Sequence, residues 1–380
     1  MTKAKSPDPE AVRRAEAAGL VFDEDKTTLL ECRKKKITEA VIPEGVRRIG
    51  ECAFFRRGSL TGVVIPPSVE EIGDRAFEGC TNLADAVIPD SVTVIGDRAF
   101  EGCTGLAGMI IPDSVKEIGP HAFMGCTGLE NVVIPQSVKL IEAWAFQGCT
   151  SLENVVIPDS VTAIEMYAFM GCTGLENVVI PPSVNTIGAY AFSGCSSLKN
   201  AVIPDGVNKI GDWAFFRCTG LENVVIPGSV NHIGDGAFNG AAQVLSDNEK
   251  FPVDGSCVLF DAEKKKLLFA PPALSGNYPI PDGVTRIGCR AFDGCAGLTG
   301  VVIPDSVKEI GFSAFEGCTN LARAVIPDSV KAIGGGAFKG CIGLSSVLIP
   351  DGIEWIAGDA FEGAGCEDQV RRDCPRFFKQ

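Results

Sequence analysis

The chain has 380 residues, 46% of them hydrophobic and 22% charged, with a formal net charge of −14; length alone suggests two or three domains and a sizeable core. The acidity argues against nucleic acid and against anionic membrane surfaces as partners. Two histidines far apart in the chain, His121 and His232, leave no Ser-His-Asp, Cys-His or His-metal constellation to assemble.

The first predicted element is a short helix from Pro9 to Ala18, with Pro at its start and Gly19 at its stop. Nothing before Gly19 resembles a secretory hydrophobic region and no run of 18 apolar residues occurs, so the chain reads as soluble, without membrane insertion. A hairpin-like unit follows, with Glu24, Asp25 and Lys26 at its turn. An Ile-Pro pair then recurs with its Pro at 43, 66, 89, 112, 135, 158, 181, 204 and 227, and again at 281, 304, 327 and 350. These thirteen copies keep a strict 23-residue period in two blocks, the mark of stacked units that cannot bury their faces alone.

One copy shows the pattern. Leu152-x-x-Val155-x-Ile157-Pro158 reads as a short strand closed by a Pro that cannot donate to a ladder, and Asp159-Ser160 as a polar turn. Val161-x-x-Ile164 is a second extended piece, and Ala168-Phe169-x-Gly171-Cys172 a tight turn back. A unit this short has no room for a full helix. The expectation is a solenoid with a concave parallel sheet, a convex side of short extended or 3-10 pieces, and little α-helix. Phe22-Asp23 and Leu29-Leu30 stand before Pro43 at the spacing with which Phe260-Asp261 and Leu267-Leu268 stand before Pro281, so one hairpin unit is used twice. The organisation is then a cap over 1–36, nine repeats over 37–240, a hairpin-like insertion over 241–277, four repeats over 278–363 and a cap or tail over 364–380.

This motif of Leu, Val, Ile-Pro, Ser-Val, Ile-Gly, Ala-Phe and Cys resembles the BspA-like, or Treponema-type, leucine-rich repeats over about residues 20 to 365. The resemblance implies a right-handed solenoid without catalytic activity and a role in adhesion to host matrix proteins or other cells, at a cell surface or secreted. It implies no individual binding residue. In the family the position two before the Pro is often Thr, so this chain departs towards the apolar.

Ten of the sixteen cysteines, Cys80 to Cys218 and Cys295 to Cys341, form one column fourteen residues after the Pro. Stacked side chains pointing the same way, about 4.8 Å apart, suit buried thiols rather than disulfides. No C-x-x-C pair exists, and one Asp per turn lacks the clustered oxygens that calcium takes, so neither metal nor cofactor is expected. So many thiols without a pairing logic favour a reducing compartment or an anaerobic cell, although Cys366 and Cys374 are close enough in sequence to pair if oxidised. Glu142 and Glu165 stack on adjacent repeats, where a solvated like-charge pair is the ordinary reading and an acid-base pair the alternative.

A solenoid fixes its core and varies its working surface. The column nine residues after the Pro carries rings in five consecutive repeats, His121, Trp144, Tyr167, Tyr190 and Trp213, with Met170 and Phe216 three residues beyond two of them. Aromatics with Met, rimmed by acid, have the composition of a binding hot spot; rings that only stack on one another are the competing reading. Strand alternation places a second candidate on the concave face: a Val ridge that includes Val133, Val156 and Val179, beside an Asn ladder that includes Asn154 and Asn177. The expectation is a non-catalytic, adhesin-like protein-binding module that engages a partner, such as a host matrix or cell-surface protein, through these two faces in repeats four to nine. The alternative is a structural or self-assembling protein, a homo-oligomer using the same faces for contacts between copies.

Overall fold

A computed structural model of the chain describes residues 6–378. The described chain divides into two compact units, one up to Ile210 and one from Gly211 onward, both built from the same 23-residue coil.

In the first unit, helix α1 (Pro9–Ala17) starts where the Asp8 carboxylate accepts from the Glu10 N–H at 3.0 Å. Strands β1 (Leu20–Phe22) and β2 (Thr28–Cys32) form an antiparallel hairpin. Its turn closes on Asp23, whose carboxylate accepts from the backbone of Thr27 at 2.7 Å and Thr28 at 3.1 Å. Thr28–Leu29 then pairs parallel with Arg48–Ile49, which makes the hairpin the first rung of the stack.

Each repeat but the last contributes two strands; the last adds Trp355–Ile356 and a single bridge at Leu348. The piece before the Pro pairs in parallel register with its neighbours, as Asn131–Val133, Asn154–Val156 and Asn177–Val179 do. The second piece forms another parallel sheet of two-residue strands, such as Ala163–Ile164 between Leu140–Ile141 and Thr186–Ile187. Between them the Ala-Phe segment is neither helix nor strand, yet its amides alternate between two kinds of partner. The Phe54 N–H reaches Ala76 of the next repeat at 2.7 Å, while the N–H groups of Phe55 and Arg57 turn back to Cys52 and Phe54 at 3.0 Å. Burial of this turn therefore leaves its backbone paired.

The core is a set of columns that repeat themselves. Phe100, Phe123, Phe146 and Phe169 stack nearly parallel with centroids 5.4 Å apart, all of them buried. Column thiols within the blocks donate to the Phe carbonyl one repeat earlier, Cys126 to Phe100 at 3.1 Å and Cys172 to Phe146 at 3.1 Å, while Cys295 at the start of the second block donates to Pro271 at 3.4 Å. Burial pushes the thiols of Cys80, Cys295 and Cys341 up to about 12. In the turns the serine hydroxyl links repeats, Ser160 donating to Val138 at 2.7 Å and Ser91 to Val69 at 2.6 Å. All cysteines among the described residues are free, Cys366 buried and Cys374 half-buried.

The second unit uses the same opening device. After the strands Asn223–Ile226 and Gln243–Ser246, Leu259–Phe260 and Lys266–Phe269 form an antiparallel hairpin. Asp261 closes it from the backbone of Lys265 and Lys266 at 2.7 and 2.9 Å, and Lys266–Leu267 pairs parallel with Arg286–Ile287. The far end is covered by helix α2 (Glu367–Asp373). There the Gln369 side chain accepts from the Val347 N–H at 3.0 Å and donates to the Val347 carbonyl at 2.8 Å. One amide thus imitates the next strand on an edge that would otherwise template association.

Phe169→Ala should open a cavity within the ring column and lower stability by about 3–5 kcal/mol in urea unfolding; a loss under about 1 kcal/mol would contradict a rigid core. Alkylation at about pH 8 should leave Cys126 and Cys149 unmodified until the chain unfolds, because a raised thiol pKa leaves no thiolate to react. Labelling of either in the native protein, read by mass spectrometry, would refute their burial. Gln369→Ala should leave the Val347 edge open and promote concentration-dependent light scattering, and unchanged scattering would show that the edge is guarded otherwise.

Candidate binding faces

The ring column stands on unusual backbone. His121, Trp144, Tyr167 and Tyr190 have φ of 57°, 58°, 61° and 57°, and Arg75, Arg98 and Arg290 in the same column have φ of 54°, 55° and 55°. The left-handed region is sterically costly for residues with a Cβ. Gly236 and Gly336, which share the column, were its only trace in the sequence.

Within the first unit the four rings form one stack: His121 on Trp144 at 4.8 Å and 4°, Trp144 on Tyr167 at 5.1 Å and 8°, Tyr167 on Tyr190 at 4.9 Å and 8°. All four are half-buried, and both faces of Trp144 and of Tyr167 are covered by neighbouring rings, which leaves their edges for a partner. Trp213 belongs to the second unit, where it meets Phe216 edge-on at 5.2 Å and 77° and lies so close to Gly236 that an added Cβ would sit 2.2 Å from the indole. Met170 is half-buried beside this column.

Where the column holds Arg instead of a ring, the residue three further on is acidic: Arg98 pairs with Glu101 at 2.9 Å and Arg290 with Asp293 at 2.7 Å. The ridge is thus filled in two ways, by ion pairs or by rings with Met and Phe. Glu142 lies close by, its carboxyl pushed up by burial and then by the charge of Glu165. Glu142 replaces a Gly; an added Cβ at Gly119, the same position one repeat earlier, would lie 2.7 Å from the Asp97 amide. The second sheet breaks at this point, between Glu117–Ile118 and Leu140–Ile141.

The strand face is open. Val133, Val156 and Val179 are 57%, 58% and 73% exposed and Ile110 is 84% exposed, whereas the alternate residues Val132, Val155 and Val178 are buried. Asn131, Asn154 and Asn177 lie exposed beside them and pair in register, as the valines do. The structure therefore unites Val133, Val156, Val179, Asn154 and Asn177 on one surface and sets the rings on a different one.

A depression of about 620 Å³ continues this surface, lined by Val87, Met109, Ile110, Asn131 and Val133 with Gly108 among them. It lies where the main sheet breaks, between Asp85–Ala86 and Gly108–Ile110. Met109 stands there in an inward column that is otherwise Ala or Val in this unit. The signal was present in the sequence, as Gly108 interrupting the polar column beside an Ile in the ridge. No described helix is long and apolar enough to cross a membrane.

The family model described as the BspA type leucine rich repeat region matches residues 31–153, 141–246 and 274–370. Among solved structures, a leucine-rich repeat protein from Bacteroides ovatus is 31% identical, with 91% of this chain and 83% of that chain covered and a TM-score of 0.60. A leucine rich cell surface protein from Faecalibacterium prausnitzii is 30% identical, with 91% and 90% covered and a TM-score of 0.60. No curated protein matches. With its thirteen 23-residue coils and family matches along most of its length, the chain belongs to the BspA-type leucine-rich repeat family.

Proposed function

We propose that this chain is a non-catalytic, adhesin-like protein-binding module and that the Val and Asn columns of the strand face carry the contact. The observation behind this reading is the exposure of that apolar column, which reaches 84% at Ile110 and 73% at Val179. Contiguous exposed apolar surface of this kind is uncommon on proteins without a partner. The stacked rings have a second role in the proposal: they stiffen the opposite ridge and present their edges, with Met170 beside them, as a secondary contact. One of the two similar structures is a cell surface protein, which supports a surface role and a protein such as a matrix or cell-surface component as partner.

Contact between two copies through the same face is the second reading, favoured by the length of the Val column. Size and scattering in solution separate the two: a monomer at high concentration removes self-assembly.

Val156→Asp with Val179→Asp should abolish capture of a protein partner and leave the thermal transition nearly unmoved, since both side chains already face solvent. Trp144→Ala with Tyr167→Ala should weaken capture less and lower the transition, by about 0.5–1.5 kcal/mol for each lost stack. Capture that survives the aspartates but not the alanines would transfer the site to the ring ridge.

A further inference from the structure

The flanks of the apolar strand face carry one sign of charge. On the turn side of the Val column stand Asp90, Asp113, Asp159 and Asp205, one residue after their prolines. On the other side stand Glu130, Glu153 and Glu176, five residues before theirs. All of these are exposed. Across the four outward columns of the third to eighth repeats Lys199 is the one cation, and it is engaged by Glu176 at 2.9 Å. The surface is thus an apolar strip flanked by acid, with Asp90 and Asp113 on the turn side of the depression at Ile110 and Glu130, Glu153 and Glu176 on the other side of the three repeats that follow; Ala84, Ala107, Gln136 and Pro182 are neutral gaps in the two columns.

We propose that this face accepts an extended, cationic segment of a partner protein, one that alternates apolar side chains with Lys or Arg. The proposal rests on the strand face being the binding surface and specifies its partner. Apolar side chains seat against Ile110, Val133 and Val156, and the cations between them reach Asp113, Glu130, Glu153 and Asp159 on the flanks. Complementary charge of this kind selects the partner and speeds the encounter. It also opposes the alternative occupant: two copies of this face brought together would set acid against acid. Lys199 ends the glutamate rail in this unit, since Glu130, Glu153 and Glu176 precede it in the same column.

The test uses the full chain and three probes: a short synthetic peptide alternating Val and Lys, its Val/Glu counterpart, and oligolysine of equal length. The Val/Lys peptide should bind, the Val/Glu peptide should not, and oligolysine should bind at least about tenfold more weakly. Affinity for the Val/Lys peptide should fall about tenfold as salt rises from roughly 0.05 M to 0.5 M. Lys199→Glu should tighten it about threefold by completing the rail, and the combined Glu153→Gln, Asp159→Asn and Glu176→Gln variant should weaken it about tenfold. Equal binding of the Val/Lys and Val/Glu peptides, oligolysine binding as tightly as Val/Lys, or indifference to Lys199→Glu would overturn the proposal. Should capture of a protein partner vanish with Val156→Asp and Val179→Asp yet ignore both charge variants, the strand face stands as the site and its cationic specificity falls.

Discussion

Each residue in this protein must tolerate a near copy of itself about 4.8 Å away on either side, and the rest of the structure follows from that spacing. Phenylalanine meets the demand by parallel stacking, at 5.1 Å between Phe54 and Phe77. Serine and cysteine meet it by donating to a carbonyl of the preceding repeat, as Ser160 and Cys172 do. Isoleucine and valine need only shape. The core is therefore a choice of side chains that pack against themselves, which is why its columns barely vary while the ring ridge does.

The ring ridge shows what happens when a column carries a backbone cost. A side chain at φ near 57° gives up stability relative to Gly, on the order of 1 kcal/mol. Neighbouring rings return about 0.5 to 1.5 kcal/mol per pair. The two magnitudes nearly cancel. Arginine reaches a similar balance through its pairing with the acid three residues on, as at Arg98 and Glu101. Aromatics in the middle repeats thus have a packing role in the ridge, whereas Val179, packed along the sheet only against Val156 and Val202, still stands 73% exposed. This contrast moves the weight of the functional argument from the rings to the strand face.

Much of the architecture was legible because it is periodic. The Ile-Pro spacing gave the coil, the Phe-Asp and Leu-Leu spacing gave both hairpins, and the parallel thiol column indicated free buried cysteines. What stayed hidden was conformational or local. Trp144 and Tyr167 do not announce a left-handed backbone, since only the glycines that share their column carry that signal. The two sheet breaks, between Asp85–Ala86 and Gly108–Ile110 and between Glu117–Ile118 and Leu140–Ile141, have no counterpart in the periodic pattern. A column average conceals both. Rings and valines were already assigned to two faces by the sequence, because strand alternation fixes the valines and a separate turn fixes the rings.

The same rails that suit a cation also solve a problem created by the valines. An exposed apolar strip on a stacked sheet invites contact with other copies, and natural sheets counter this with charge. Glu130, Glu153 and Glu176 lie on successive rungs, where like charges cost some stability. That cost is small in water and grows if two such faces are pressed together and desolvated. The arrangement is therefore asymmetric in what it permits: it resists a second copy of itself and leaves the apolar strip available to a partner of opposite sign. Solubility and selectivity here come from the same side chains, and the valines can remain exposed because the carboxylates flank them.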